Sequence, residues 1–192
     1  MRKNMTGFTV TQWSHHILSG LIPEGGICID ATAGTGQDTV YLARAVGENG
    51  KVIAFDIQEE ALRQTDARLQ KEGLKGRVHL VLDSHVHMDR YGAEEEVDAI
   101  LFNFGYLPGG DHRICTKADT SVRAVDTGLR LLRKGGVMGL CIYSGGDTGF
   151  EEKEALLSFL ARLDSKKYLV IRCDFYNRGN HPPIPVLIIK QI

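Results

Sequence analysis

Short apolar runs alternate with amphipathic segments along almost the whole chain, and few architectures accept that order. The runs at 27–31 (ICIDA), 51–56 (KVIAFD), 77–83 (RVHLVLD), 97–103 (VDAILFN), 136–143 (GVMGLCIY), 168–175 (YLVIRCDF) and 184–190 (IPVLIIK) read as strands. Several are apolar almost throughout, a pattern that suits strands covered on both faces of their sheet. Helices are predicted between them, at 10–21, 37–46, 58–73, 116–134 and 151–164. In the third, Ala61, Leu62, Thr65, Leu69 and Gly73 form one face at helical spacing; in the last, Ala155, Leu156, Phe159, Leu160 and Leu163 do so. RKGG at 133–136 reads as a helix C-terminus, with cations set against the dipole and a glycine stop.

This order predicts an α/β fold of Rossmann-like type, with a seven-stranded, mostly parallel sheet and helices on both faces. The last two strands follow each other closely and are expected to form an antiparallel hairpin. Its connection, YNRGNHPPIP at 176–185, is long and proline-stiffened. One domain over 1–192 is expected, with residues 1–24 as a helical segment packed upon it.

No apolar run is long enough to suggest a membrane span, and no apolar stretch follows the basic residues of the N-terminus as a secretory leader requires. A cytoplasmic protein is the expectation. The net charge of −1 does not mark a bulk nucleic-acid binder, so any RNA contact must be local. The four cysteines show no CxxC and no zinc-like pairing with histidine, so free, mostly buried thiols and no metal are expected.

In sheets of this kind ligands bind beyond the carboxyl ends of the strands, near the switch point. The first strand runs into IDATAGTGQDT, where Gly34 and Gly36 permit a tight turn and a helix then aims its N-terminus at the ligand. The dinucleotide fingerprint requires a small residue where this chain has Thr39, and no GK[ST] is present. Asp30, four residues before Gly34, repels a pyrophosphate but suits a cationic amino group. Asp56 ends the second strand 20 residues after Gly36, where an acid accepts ribose hydroxyls, or else caps the helix beginning near Gln58. Asp83, with Ser84 and His85, stands where adenine would lie. An amine-seeking, a ribose-seeking and an adenine-flanking acid together point to S-adenosylmethionine rather than a nicotinamide dinucleotide.

The fourth strand leaves the core into NFGYLPGGDH, 103–112. The NFGY segment resembles the Asn-Pro-Pro-Tyr type of loop found in methyltransferases that modify an amino nitrogen. The Asn103 side-chain carbonyl can accept from a substrate N–H and aim its lone pair at a methyl group, which is catalysis by proximity and orientation. Phe104 or Tyr106 is a candidate stacking partner for a base; Gly109 and Gly110 let the loop fold over it; Asp111 and His112 add polar contacts. Candidate proton acceptors are Asp111, His112, His15 and His85. Arg113, Lys117 and Arg123, with Tyr176, Arg178, Asn180 and His181 of the late loop, offer RNA contacts.

Six blocks, WSHHIL (13–18), IDATAGTGQDTVYLA (29–43), FDIQEEAL (55–62), LDSH (82–85), FNFGYLPGGDH (102–112) and NHPP (180–183), resemble a small bacterial family of rRNA methylase-like proteins. That family includes the tRNA methyltransferase that converts 5-aminomethyl-2-thiouridine to 5-methylaminomethyl-2-thiouridine at the wobble position. The resemblance implies a class I methyltransferase fold. It also implies S-adenosylmethionine held by Asp30, Thr32, Gly34, Gly36, Gln37, Asp38, Thr39, Asp56, Gln58, Asp83, Ser84, His85 and Asn103. Catalysis is expected from Asn103, Tyr106 and Asp111. The acceptor is expected near His15, Phe104, Gly105, Tyr106, Leu107, Pro108, Gly109, Gly110, His112, Arg113 and Asn180, with a tRNA anticodon stem-loop as partner. Two departures stand out: Thr35 replaces the family's Asn between the glycines, and YSGGD (143–147) replaces a Tyr-Pro-Gly-His segment. Competing expectations are the same chemistry on rRNA or a small amine, and a nicotinamide-dependent oxidoreductase. A homodimer is compatible with these patterns but does not follow from them.

Overall fold

Seven strands form one sheet in the order β3-β2-β1-β4-β5-β7-β6. They are β1 (Ile27–Asp30), β2 (Lys51–Asp56), β3 (Val78–Leu82), β4 (Val97–Phe104), β5 (Leu132–Ile142), β6 (Tyr168–Arg172) and β7 (Ile184–Lys190). The computed structural model describes residues 9–104, 116–143, 149–179 and 182–192. β1 to β5 pair in parallel, while β7 pairs antiparallel with both β5 and β6. The expected hairpin is present, and its second strand is inserted between the first and the rest of the sheet.

The helices are α1 (Val10–Leu18), α2 (Gln37–Ala45), α3 (Glu59–Lys71), α4 (Ala118–Leu131) and α5 (Gly149–Leu160). α1, α2 and α3 cover one face through Leu18, Leu42, Ala43 and Leu69; α4 and α5 cover the other through Ala124, Val125, Leu129, Leu156 and Leu160. The central strands are apolar on both faces because both are covered, as β4 shows by burying Val97 to Phe102 without a break; the edge strand β6 instead leaves Leu169 and Ile171 exposed. α1 begins with a capping box: Thr9 Oγ1 accepts from Gln12 N–H, and the Gln12 side chain accepts from Thr9 N–H.

One expected boundary is corrected. α4 ends at Leu131, so RKGG (133–136) does not close a helix. It forms an irregular insertion in β5, between the pairs Val97–Leu132 and Ala99–Val137. The cause is Asp98, nearly buried, which accepts from Arg133 Nε at 2.5 Å and from Ile27 N–H at 2.8 Å. Gly135 takes φ +75° there.

The sheet order places the reversal of winding between β1 and β4, which are paired in parallel. Asp30, Asp56, Asp83 and Asn103 therefore meet along one edge of the sheet, because each ends or just follows a parallel strand. No helix among the described residues is long and apolar enough to cross a membrane.

Candidate functional site

The turn between β1 and α2 is built around two left-handed glycines, Gly34 at φ +51° and Gly36 at φ +79°. Gly36 is the N-cap of α2, and a Cβ on it would lie 3.0 Å from Thr65 of α3. Thr65 Oγ1 in turn donates to the Gly34 carbonyl at 3.1 Å. Close helix packing and positive φ together exclude a side chain at Gly36. The turn leaves Gln37 at the first position of α2, whose N-terminal amides face the strand ends.

Three carboxylates organise this turn. Asp30 has no solvent exposure; it accepts from Thr39 Oγ1 at 2.6 Å and from Thr32 N–H at 3.1 Å. Burial, and then the neighbouring Asp38 carboxylate, push its pKa up to about 7. Asp56 accepts from Gly34 N–H and from Gln58 N–H, each at 2.9 Å, so it ties the turn to the start of α3. Burial raises its pKa too, against the lowering effect of these amide donors. Of the two alternatives for Asp56, ribose acceptor or helix cap, the cap is not formed: α3 has Gln58 as N-cap with no side-chain cap bond, and Asp56 instead accepts from Gln58 N–H in a turn before the helix, leaving further lone-pair capacity on its half-buried oxygens. A turn surrounded by Asp30, Asp38 and Asp56 favours a cationic ligand over a pyrophosphate.

Asp83 follows β3 and accepts from Ser84 N–H, His87 Nδ1 and Tyr91 Oη at 2.7, 2.7 and 3.2 Å, and these donors hold its carboxyl below the usual range. Ser84 caps the 3-10 helix His85–Arg90 through a 3.4 Å bond from Val86 N–H. His85 is packed edge-on against Phe102, and burial lowers its pKa to about 4. It is therefore neutral at physiological pH and a poor general base. Its Nε2 is buried with no hydrogen-bond partner among the described residues.

At the end of β4, Asn103 is held on two sides. Its backbone N–H donates to Thr32 Oγ1 at 2.7 Å, and its side-chain Nδ2 donates to Asp38 Oδ2 at 2.6 Å. Asp38, 7% exposed, uses its other oxygen to accept from His15 Nε2 at 2.6 Å. The His15 ring stacks on Tyr41, centroids 3.9 Å apart and planes within 4°, and Tyr41 Oη donates to the His15 carbonyl at 3.0 Å. The N-terminal helix thus reaches the strand-end cluster directly.

Among the site residues expected from sequence, Asp30, Thr32, Gly34, Gly36, Gln37, Asp38, Thr39, Asp56, Gln58 and Asn103 come together around one turn, with Asp83, Ser84 and His85 along the same edge. Phe104 is corrected. It has no solvent exposure and stacks on Phe102 at 5.0 Å within the core beneath α4 and α5, because strand alternation turns it inward where Asn103 turns out. It cannot stack on a substrate base. Gly105, Tyr106, Leu107, Pro108, Gly109, Gly110, Asp111, His112, Arg113 and Asn180 lie outside the described residues. Among the described residues the thiols are free as expected: Cys28 and Cys141 are buried, Cys173 partly so, and burial pushes the first two up to about 12, while Cys115 lies outside the described residues.

Three residues escaped sequence reasoning. Ile57 directly follows Asp56 and is 57% exposed, as is Leu82 just before Asp83. An apolar residue after a strand-end acid is the signal that could have marked this surface as a platform for a flat, apolar ring. Tyr41 looked like an ordinary helix position; only the stack on His15 shows its part.

The chain matches the family model described as "Putative rRNA methylase" over residues 52–189. It superposes with TM-score 0.92 and 46% identity on a "putative rRNA-methylase from Clostridium thermocellum", covering 97% of this chain and 100% of that one. A "putative methyltransferase from Streptococcus mutans in complex with SAH" superposes with TM-score 0.85 at 35% identity, covering 96% and 99%. A chloroplastic "tRNA (mnm(5)s(2)U34)-methyltransferase" of Arabidopsis thaliana is 34% identical over 187 residues, covering 93% of this chain and 67% of the plant protein. The strand order is thus that of a methyltransferase, and the chain belongs to the rRNA methylase family of S-adenosylmethionine-dependent enzymes.

Proposed function

We propose that this protein methylates the amino nitrogen of a 5-aminomethyl group on the wobble uridine of tRNA, giving 5-methylaminomethyl-uridine or its 2-thio form. The observation that carries the reading is the placement of Asn103, a neutral hydrogen-bonding side chain at the switch-point strand end, beside an acid-lined turn. The 34% identity with the plant tRNA methyltransferase over nearly the whole chain supports the substrate class.

Bound S-adenosylmethionine would supply a methyl group activated by its sulfonium: the S–CH3 bond would break as the N–CH3 bond forms, the thioether leaving and the amine's proton passing to solvent. The residues present suit that donor. Asp56 can accept ribose hydroxyls, Ile57 and Leu82 offer an apolar surface for adenine, and Asp30 favours the amino group of its methionine part. Asn103 accepts from the acceptor's N–H through its carbonyl, which directs the lone pair without adding charge. That neutrality matters: an alkyl amine is protonated in neutral water, and a carboxylate in direct contact would hold it so. Tyr106, Asp111 and the neighbouring loop residues are proposed to cover the acceptor base, and Arg113 and Asn180 to meet the RNA.

The experiment is turnover with labelled donor on tRNA that carries the unmethylated 5-aminomethyl group, followed by nucleoside mass spectrometry. The expected product is the 5-methylaminomethyl nucleoside. Asn103→Ala should lower kcat by about 100-fold while donor affinity stays within about threefold. Methylation of rRNA with untouched tRNA would replace this reading with the one in the family's description.

A further inference from the structure

We propose that Asp38 is the positioning residue of the methyl-transfer site, setting which way the Asn103 amide faces, and that His15 locks Asp38 in that role. This rests on the amine-methylation reading above.

A terminal amide presents oxygen to one side and NH2 to the other, and exchanging them changes its shape very little. Its orientation is therefore decided by its hydrogen-bond partners. A carboxylate accepts and cannot donate, so the 2.6 Å contact with Asp38 Oδ2 fixes Nδ2 on the Asp38 side. The planar amide then turns its carbonyl oxygen away from Asp38. In that orientation Asn103 accepts from an amine N–H; flipped, it would confront the amine with a second donor.

An acid near the start of α2 could serve only the helix dipole. Its surroundings here show more. Asp38 is nearly buried, and each carboxylate oxygen is bound by a side chain from a different element: Asn103 of β4 and His15 of α1. The stack on Tyr41 fixes the His15 ring, and the Thr32 hydroxyl fixes the Asn103 backbone. With both oxygens engaged by protein side chains, Asp38 is disposed to orient Asn103 rather than to reach the donor itself.

The test compares Asp38→Asn, Asn103→Ala, the double variant, and His15→Phe, which keeps a ring on Tyr41 but removes the Nε2 donor. Turnover is measured on hypomodified tRNA, and affinity by calorimetric titration with S-adenosylhomocysteine. Asp38→Asn should lower kcat about 10- to 100-fold with donor affinity within about threefold, since either amide orientation then satisfies residue 38. The double variant should be no slower than Asn103→Ala, because Asp38 acts through Asn103. His15→Phe should cost about three- to tenfold in kcat. Effects that multiply in the double variant, or a donor affinity falling in step with kcat, would overturn the proposal. A substrate-free readout separates it from the reading it rests on. The Asn103 side-chain NH2 resonances should be shifted and protected from exchange in the unaltered protein, and revert to solvent-like values in Asp38→Asn. That change in a protein inactive on tRNA would retain the positioning role and reject the substrate; resonances indifferent to Asp38→Asn would reject the positioning role itself.

Discussion

Asp30 shows how far a residue can be read from its place in the sequence. Its position before the glycine turn marked it as a ligand-side acid, but nothing in the sequence says that it is sealed from water. It organises the turn from within, through Thr32 and Thr39. The cost of this placement should be visible in pH dependence. An unfolded Asp loses its proton near pH 4, whereas burial and the adjacent Asp38 hold Asp30's up to about 7. Between those values the folded state binds more protons than the unfolded one, so this residue's contribution to stability falls as pH rises through that window. Asp30→Asn removes the ionisation. Measured by urea denaturation, the variant's stability relative to the unaltered protein should therefore rise by about 1–3 kcal/mol from pH 4 to pH 7. A flat difference would mean that Asp30 ionises without penalty. Phe104 teaches the converse lesson: a loop motif drew it towards the substrate, while the alternation of the strand that contains it keeps it in the core.

At the scale of elements the sequence was legible wherever periodicity is decided by burial. The seven expected strands and five expected helices are each present, with ends shifted by a few residues, because nearly all bury one or both faces against the sheet; only the edge strand β6 is largely exposed. RKGG failed because its charge and glycine pattern is shared by helix ends and strand irregularities, and only the Asp98–Arg133 pair, distant in sequence, distinguishes them. α1 was legible as a helix but not as a part of the site, since the His15–Asp38 contact spans 23 residues and three elements. Its seat is Leu18, fully buried, whose Cδ1 lies 3.1 Å from where a Cβ on Gly139 of β5 would stand. Glycine there lets α1 approach the sheet closely. Leu18→Ala should cost about 2–4 kcal/mol in urea denaturation, as for other fully buried leucines. It should also weaken activity through the loosened His15. Full stability in that variant would show that α1 is only loosely attached.

The described residues form two hydrophobic cores joined through one sheet, and the strand-end edge is where segments from both meet: α1, α2 and α3 come from one side, the 3-10 helix from the other, with β4 of the sheet between them. A ligand at that edge binds only the folded chain, because Asp30, Gly34, Asp56 and Asp83 come from three strands that unfolding separates. S-adenosylhomocysteine at about 100 times its Kd should therefore add about 2.7 kcal/mol to stability. For a chain of this size that corresponds to a rise in Tm of about 5–10 °C in differential scanning calorimetry. Asp56→Ala lowers the starting Tm, since Gly34 and Gln58 lose their acceptor, so the ligand-induced shift is the quantity to compare. At the same ligand concentration that shift should shrink to a small part of its original size. A full shift in Asp56→Ala would move the ribose away from β2 and leave Asp56 only as the acceptor that braces the Gly34 turn and Gln58.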